Sequence, residues 1–447
     1  MKLAASDWLP DFLRARLHGR GTVARALDNS AWLFLDQLLR MAGGLLVGVW
    51  LVRYLGPAHF GLLSYAQAIV GVVGACASLG LNAVLVRDLV HEPDSADDFL
   101  GTAFMIKGMA AAAGWLVCSG LAWLLSPTDL QMHGLVLIMA LSLLFQVFDV
   151  LDVRFQARGE VYVSAWGRMA GFALASIARI ALILLRAPVW AFAMAATGEI
   201  LLYAIGWLML GWRRGLRARG WHFQGHYARS LLAQSWPLTL SGLAIYVQAS
   251  IDQVMLGKML GTAELGQYAA ALRIVSVFTF LPMVLQTVAA PEISRAKREC
   301  ESLYRRRLFN IYRIMFVLFL AVALPLILLG PAFAVLLFGR VYRGAAVLLP
   351  WLVFRLFFTN FGVARSLYIV NEGLFRFSLL TSLVGAVINI VLNLFFIPAW
   401  GARGAIAASL VSFAVTIFAL DGLHPKMRAN LRLMIRSVLL PWQRFAG

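Results

Sequence analysis

The stretch at residues 49–69, VWLVRYLGPAHFGLLSYAQAI, decides the fold because it recurs near the middle of the chain. Residues 254–274 read VMLGKMLGTAELGQYAAALRI, and one constant offset aligns Leu55-Gly56 with Leu260-Gly261. In each copy an apolar run ends near a basic residue, and a Leu-Gly turn leads into a second apolar run. The sequence therefore predicts a membrane helix pair used twice, in a protein of two related halves, which is typical of transporters.

The composition of this 447-residue chain is that of a membrane protein. The mean hydropathy is +0.81, with 61% hydrophobic and 13% charged residues, so a water-soluble fold would expose too much apolar surface. No cleavable signal peptide is predicted, and residues 1–30 are expected to form a basic cytoplasmic leader. The three cysteines show neither a disulfide framework nor metal-ligand spacing, and no cofactor or metal is expected.

Apolar runs of about 20 residues are long enough to cross the ~30 Å hydrocarbon core of a bilayer. The sequence contains twelve such runs, which predict an all-α polytopic membrane protein with six transmembrane helices in each half. Their bounds are 31–55, 60–86, 99–125, 135–155, 162–185, 188–211, 231–256, 268–290, 309–329, 345–370, 377–397 and 402–420.

Basic residues orient these spans. They concentrate between spans six and seven, between spans eight and nine, and in the C-terminal tail, which predicts that both termini are cytoplasmic. The asymmetry accounts for the net charge of +18, and nucleic-acid binding is disfavoured because no binding module accompanies the basic residues. The predicted parts are the leader (1–30), an N-lobe (31–211), a basic cytoplasmic linker (212–230), a C-lobe (231–422) and a basic cytoplasmic tail (423–447).

The sequence argues against an enzyme. No connection between spans is long enough for a folded soluble domain. No phosphate-binding loop of the GxxxxGK[ST] type occurs, so the chain is not expected to hydrolyse ATP itself. The acidic cluster HEPDSADD at residues 91–98 is interpreted as a solvated connector rather than a catalytic or metal site.

Charged residues inside the spans form the candidate site, because a charge within the bilayer costs roughly 3 kcal/mol and normally faces a protein interior or a cavity. Arginine suits an anionic substrate, since guanidinium binds phosphate oxygens in bidentate fashion. Residues near span ends, such as Arg154, Arg168 and Lys258, can instead snorkel to the interface. The candidate substrate-binding cations are Arg40, Arg53, Lys258, Arg273, Arg355 and Arg365, and the candidate ion-coupling acids are Asp36, Asp252 and Glu199.

Two of these acids differ in their sequence surroundings. Asp36 and Arg40 lie four residues apart on one helical face, so a permanent ion pair is expected. Asp252 has no obvious partner in its own helix and is therefore the better candidate for taking up a proton or a sodium ion. Such uptake would be linked reciprocally to substrate binding.

Several segments in a fixed order resemble the Wzx-type O-antigen and oligosaccharide repeat-unit flippases, which are polysaccharide biosynthesis proteins. They belong to the multidrug/oligosaccharidyl-lipid/polysaccharide (MOP) exporter superfamily, with the multidrug extruders (MATE) and the lipid II flippase. The segments include NSAWLFLDQLLRMAGGLLVGVWLVRYLGPAHFG from Asn29, SWPLTLSGLAIYVQASIDQVMLGKMLGTAELGQYAAALRI from Ser235 and VINIVLNLFFIPAWGARGAIAASL from Val387.

The resemblance implies two pseudo-symmetric six-helix bundles in a V shape around a cationic cavity. It implies export of a polyprenyl-diphosphate-linked oligosaccharide from the cytoplasmic to the periplasmic leaflet of the bacterial inner membrane by alternating access. H⁺ and Na⁺ are candidate coupling ions, and polysaccharide-assembly proteins are candidate partners. It also implies that the first, second, seventh and eighth helices line the cavity, which singles out Asp36, Arg40, Arg53, Asp252, Lys258 and Arg273.

Two alternatives stay open. An ion-coupled multidrug antiporter of the same fold would be expected to line its cavity with carboxylates and aromatic residues rather than arginines. A membrane-embedded glycan polymerase would need a large periplasmic loop, which this sequence does not show.

Overall fold

The computed structural model describes residues 21–215 and 220–439, with the side chain of Trp32 and the side chains from Leu35 onward. Most of the predicted leader, together with Arg217, Arg219 and Arg444 of the basic segments, lies outside these residues. The described residues are almost entirely helical and contain no strand, which confirms the all-α prediction.

The helices are numbered in chain order, and short 3₁₀ or π turns join some of them. The first group is α1 (Gly21–Ala77), α2 (Leu81–His91), α3 (Ala96–Leu125), α4 (Leu130–Gln146), α5 (Asp149–Ala157), α6 (Val161–Leu184), α7 (Val189–Arg213) and α8 (Gly225–Leu260). The second group is α9 (Thr262–Ser276), α10 (Phe280–Glu299), α11 (Glu301–Leu328), α12 (Gly330–Phe338), α13 (Arg343–Leu352), α14 (Phe354–Asn371), α15 (Phe375–Ala414), α16 (Leu420–Leu423) and α17 (Pro425–Leu439).

Among the described residues, eight helical stretches are long and apolar enough to cross a membrane, or nine if α13 and α14, bent by 43°, form one span. Two of the stretches contain two predicted spans each. α1 has 57 residues and α15 has 40, which correspond to about 85 Å and about 60 Å of helix, enough for two crossings of a ~30 Å core. Each is broken by a glycine with non-helical backbone, Gly56 in α1 and Gly401 in α15.

The seventh predicted span lies on α8, which is not among the eight stretches. Polar residues, including Gln248, Asp252 and Gln253, interrupt its apolar sequence. The eight stretches contain ten of the predicted spans, because two stretches contain two each. α8 and the bent pair of α13 and α14 contain the other two, so each of the twelve predicted spans lies on helical structure.

Packing divides the described residues into two compact units. The first unit contains the described residues up to Leu51 and Val73–Thr239, and the second contains Val52–Val72 and the described residues from Leu240 onward. The predicted lobes remain a prediction. The packing differs from them in that Val52–Val72, the turn of the first repeat copy, packs within the second unit.

The two copies of the repeat adopt the same backbone at their turns. Gly56 (φ 68°, ψ 172°) and Gly261 (φ 88°, ψ 172°) occupy a positive-φ conformation that favours glycine. Five residues later, a Cβ on Gly61 would lie 1.7 Å from the carbonyl oxygen of the residue after Gly261, and one on Gly266 would lie 1.9 Å from that of the residue after Gly56. Within the second unit the copies therefore pack backbone against backbone, each glycine making room for the other turn.

The segment after the last span is a folded helix, whereas the sequence predicted only a basic tail at residues 423–447. In α17, Met427 and Met434 are fully buried, and Tyr312 of α11 donates a 2.8 Å hydrogen bond to Asn430 Oδ1. Its apolar residues recur at helical spacing without forming a long apolar run, so its sequence does not resemble a membrane span.

Candidate functional site

The predicted acid Asp36 is 1% exposed and has two cationic partners within the first unit. Arg40 Nε lies 3.3 Å from Asp36 Oδ1, and Arg168 Nε donates a 3.0 Å hydrogen bond to Asp36 Oδ2. The contact with Arg40, one turn away on α1, confirms the pairing predicted from the four-residue spacing. The snorkelling alternative for Arg168 is wrong, because its side chain on α6 is 11% exposed and bonds to a buried carboxylate.

Arg168 is fixed on a second side as well. Its Nη1 donates a 3.0 Å hydrogen bond to Asp152 Oδ2 and a 2.9 Å hydrogen bond to Ser164 Oγ. Ser164 in turn donates to Asp152 and accepts a 3.2 Å hydrogen bond from Trp207 Nε1. Arg168 is therefore shared between two carboxylates that belong to different helices.

Arg40 is held more loosely than Arg168. Its side chain is 31% exposed, and its Nη2 donates a 3.1 Å hydrogen bond to Gln37 Oε1. The ion pair with Asp36 lacks hydrogen-bond geometry, since Arg40 Nε and Asp36 Oδ1 each have no hydrogen-bond partner among the described residues. Of the two cations on Asp36, Arg40 therefore makes the weaker contact.

The predicted acid Glu199 also has its partners in the first unit. Arg179 Nη2 lies 2.5 Å from Glu199 Oε2, and Tyr203 donates to Oε1 while also interacting with Arg40. This places Glu199 and Asp36 in one chain of contacts that runs through Tyr203 and Arg40.

Another ion pair in the same unit involves Lys107, which is 4% exposed. Its Nζ lies 2.5 Å from both Asp149 Oδ1 and Asn82 Oδ1. A buried pair of this kind neutralises two charges that would otherwise be costly within the bilayer.

In the second unit, the predicted acid Asp252 is completely buried and accepts from four donors. Its own next residue, Gln253, donates its backbone N–H over 2.8 Å to Oδ1. At Oδ2 it meets the Tyr268 hydroxyl, Arg355 Nη1 at 3.3 Å and Ser409 Oγ at 3.3 Å. The partner that α8 itself does not provide comes from Arg355 on α14, which brings together two of the predicted site residues.

Arg355 is 12% exposed and makes further contacts around Asp252. Its Nη2 donates to the carbonyl oxygen of Ala249, and its guanidinium lies 5.5 Å from the centroid of the Phe413 ring. Beyond Ser409, Asn389 Nδ2 donates a 3.3 Å hydrogen bond to the serine hydroxyl. Buried amide and hydroxyl groups thus extend the surroundings of Asp252 into α15.

Arg365 is bound by a carboxylate that sequence reasoning did not single out. Its Nε bonds to Asp421 Oδ1 at 3.0 Å and Oδ2 at 2.8 Å, and its Nη2 bonds to Oδ1 at 2.6 Å. The two side chains are 7% and 0% exposed. This closed, buried pair joins α14 to α16.

The remaining candidate cations are Arg53, Lys258 and Arg273. Arg53 is exposed and donates to the carbonyl oxygens of Leu336 and Leu337, in the last turn of α12, where a cation is favoured by the helix dipole. Lys258 is exposed at the end of α8, and Arg273 is half-buried in α9. Their positions leave both close to the ends of their helices.

A family model described as Polysaccharide biosynthesis protein matches residues 50–347. The chain belongs to this family. No curated protein matches the sequence.

Solved structures of the MOP superfamily share the fold. An inward-facing multidrug resistance MATE family transporter has a TM-score of 0.70 at 16% identity, over 91% of this chain and 98% of that chain. The lipid II flippase MurJ, in an inward closed conformation, has a TM-score of 0.66 at 15% identity, over 93% and 91%. A MOP superfamily transporter from Pyrococcus furiosus, with a binding pocket described as of reverse polarity, has a TM-score of 0.61 at 15% identity, over 93% and 96%.

The shared fold confirms the predicted fold class, an all-α polytopic membrane protein. The described residues include several helices long and apolar enough to cross a membrane, and their fold is that of solved MOP superfamily proteins. The solved structures that share this fold are those of transporters and a flippase, not of enzymes. The structure adds residues that sequence reasoning had not placed in the site: Arg168, Asp152, Tyr268, Ser409 and Asp421. Arg168 and Asp152 could have been found as charges within apolar runs. Nothing in the sequence marked the hydroxyl groups of Tyr268 and Ser409 or the carboxylate of Asp421, which follows the last predicted span.

Proposed function

We propose that this protein is a flippase that moves a polyprenyl-diphosphate-linked oligosaccharide repeat unit from the cytoplasmic to the periplasmic leaflet of the bacterial inner membrane. Three observations support the proposal. The chain belongs to a polysaccharide biosynthesis family, its fold is shared with a lipid II flippase, and its spans hold several arginines suited to an anionic headgroup. In this proposal both termini are cytoplasmic, as the basic connections predict.

The observation that carries the proposal is the sharing of Asp36 between two arginines. Removing one partner of a buried ion pair strands a charge and costs about 3–5 kcal/mol. Asp36 avoids that penalty when Arg40 moves, because Arg168 keeps its 3.0 Å hydrogen bond to the carboxylate. Arg40 is therefore free to exchange Asp36 for the diphosphate of a substrate at low cost.

The other candidate cations have different roles in the proposal. Arg355 is a further candidate for binding a phosphate, and it would have to leave Asp252 to do so. Arg53, Lys258 and Arg273 lie near helix ends, where they would attract the headgroup as it enters or leaves. Arg365 is assigned a structural role, since Asp421 already occupies its guanidinium on two nitrogens.

Ion coupling is assigned to the acids. Asp252 is the preferred coupling residue, because loss of Arg355 would leave it with neutral donors only and so favour uptake of H⁺ or Na⁺. Asp36 and Glu199 are weaker candidates, because each keeps a cationic partner. Substrate binding to the arginines and ion binding to Asp252 would then be reciprocally linked.

The test is complementation of a strain that lacks its own repeat-unit flippase. We expect the parent protein to restore surface polysaccharide and to move the lipid-linked sugar to the periplasmic leaflet, measured by its accessibility to an impermeant sugar-modifying enzyme. A matched variant, Arg229→Ala, removes an exposed cation near the start of α8 and should complement as well as the parent.

Two results would contradict the flippase. One is a failure to restore polysaccharide with several different repeat units at normal protein levels. The other is a gain of resistance to cationic drugs without any change in the leaflet distribution of the lipid-linked sugar, which would favour the multidrug antiporter.

A further inference from the structure

The exposed face of α17 carries a regular set of basic residues. Residues 425–439 contain no Asp or Glu. At 100° per residue, Arg428, Arg432 and Arg436 fall within an arc of about 80° on the helix surface. Ile435 and Leu439 fall close to the same arc, so guanidinium groups and apolar side chains alternate on one face.

The opposite face of α17 is anchored to the protein. Met427, Asn430 and Met434 are fully buried. Tyr312 of α11 donates to Asn430 Oδ1, and Tyr368 of α14 donates a 2.9 Å hydrogen bond to the carbonyl oxygen of residue 426. These contacts fix the rotation of the helix about its axis, and the basic face points away from α11 and α14.

The groups on this face have little to bind within the protein. Arg428 Nε donates a 2.8 Å hydrogen bond to the carbonyl oxygen of Gly422. Arg432 and Arg436 are exposed and form no ion pair or hydrogen bond with any other residue that the structure describes. Ile435 is 43% exposed and Leu439 is 70% exposed.

The start of α17 lies at the end of a membrane-spanning stretch. The last apolar stretch is Phe375–Leu423, and α17 begins at Pro425, after a single residue with extended backbone. Leu423 itself is 72% exposed, as expected for a residue that contacts lipid. We therefore expect the first turn of α17 to lie at the level of the lipid headgroups.

We propose that the exposed face of α17 binds the headgroup phosphates of anionic phospholipids in the cytoplasmic leaflet. A helix with basic residues beside exposed aliphatic residues is suited to the membrane interface, where the arginines meet phosphates and the aliphatic side chains reach the acyl boundary. The membrane accounts for both features at once, and the cytoplasmic leaflet carries the anionic lipids that a cationic face attracts. The proposal does not depend on which substrate the protein transports.

The test measures lipid binding to the full-length protein in detergent by native mass spectrometry. Dioleoylphosphatidylglycerol is the anionic probe and dioleoylphosphatidylethanolamine is the zwitterionic one. We expect the parent to prefer the anionic lipid, and the double variant Arg432→Gln/Arg436→Gln to bind it about 30-fold more weakly, because each cation contributes about 1 kcal/mol. The matched control Arg298→Gln/Arg306→Gln removes two exposed arginines elsewhere and should retain most of the binding.

A second variant separates a phospholipid from a free anion. Ile435→Ser/Leu439→Ser keeps all arginines, and we expect it to bind phosphatidylglycerol more weakly than the parent. Excess inorganic phosphate should not displace phosphatidylglycerol from the parent. Equal binding of both lipids by the parent would overturn the proposal. So would an equal loss in the two double-arginine variants, or full displacement by inorganic phosphate, which would indicate a site for a soluble anion instead.

Discussion

Asp36 in the first unit and Asp252 in the second are both buried carboxylates on membrane helices, yet they are held differently. Asp36 has two arginine partners, Arg40 and Arg168. Asp252 has one arginine, and its other donors are the neutral Tyr268, Ser409 and the backbone N–H of Gln253. When one arginine leaves, Asp36 keeps a cation while Asp252 becomes an anion among neutral groups.

The different partners of Asp36 and Asp252 give the two carboxylates different expected roles. A carboxylate that keeps a cation has no need of another ion, so its mobile arginine is suited to binding substrate. A carboxylate left with neutral donors raises its affinity for a proton or a cation. We therefore expect substrate chemistry at Arg40 and ion chemistry at Asp252.

The largest expected effect is on stability, and it separates the two arginines on Asp36. Arg168→Gln leaves Asp36 and Asp152 without their shared cation and should destabilise the protein by about 3–5 kcal/mol. Arg40→Gln removes a partly exposed pair and should cost less than about 1 kcal/mol. Thermal unfolding of the purified variants, followed by tryptophan fluorescence, checks this. Equal lowering of the two midpoints would remove the distinction between a fixed and a mobile arginine.

The next prediction concerns coupling. Asp252→Asn is nearly isosteric and should abolish the dependence of transport on a pH or sodium gradient in reconstituted vesicles, while substrate binding persists. Asp36→Asn is the matched control and should retain that dependence. The comparison fails if both variants respond alike, or if transport by the parent is indifferent to both gradients.

The smallest expected effect is on cysteine labelling, which shows on which face of the membrane the basic connections lie. Cys300 is exposed, and the hydrogen bond between its Sγ and Ser302 Oγ, together with backbone N–H groups, lowers the pKa of the thiol below its ordinary 9.0. Its thiolate should therefore react readily near neutral pH. In a Cys76→Ala/Cys118→Ala background, we expect an impermeant maleimide to label Cys300 only after permeabilisation.

The control for this label is Arg186→Cys, in the connection between α6 and α7, made in a background that lacks all three native cysteines. The sequence places that connection on the periplasmic side, so it should react in intact cells. Labelling of Cys300 in intact cells would place the α10–α11 connection outside and reverse the predicted orientation.

Much of the fold was predictable because it depends on local features. Apolar runs of sufficient length predicted the helices that can span a membrane, and the repeated Leu-Gly turn predicted the shared backbone of the two copies. The pair Asp36–Arg40 followed from spacing on one helix. The pair of Asp252 and Arg355 spans 103 positions, and the sequence offered no signal to join them, because only the packing of α8 against α14 does so.

Other features were not predictable for identifiable reasons. Arg168 lies near the end of its predicted span, where the sequence alone cannot distinguish an arginine that reaches the interface from one that bonds to two carboxylates. The helix α17 has a mixed face and no long apolar run, so its burial against α11 became visible only in three dimensions. In both cases the missing information was the neighbouring helix.

Transport of a diphosphate-linked lipid by purified protein in vesicles, compared between the parent and variants of Arg40, decides whether Arg40 binds the diphosphate. We expect Arg40→Ala to abolish transfer between leaflets at a normal protein level, and Arg40→Lys to restore part of it, because the charge remains while the bidentate guanidinium is lost. Arg229→Ala serves as the exposed control. Full transport by Arg40→Ala, at the rate of the parent and of Arg229→Ala, would contradict the claim that Arg40 leaves Asp36 to hold the diphosphate.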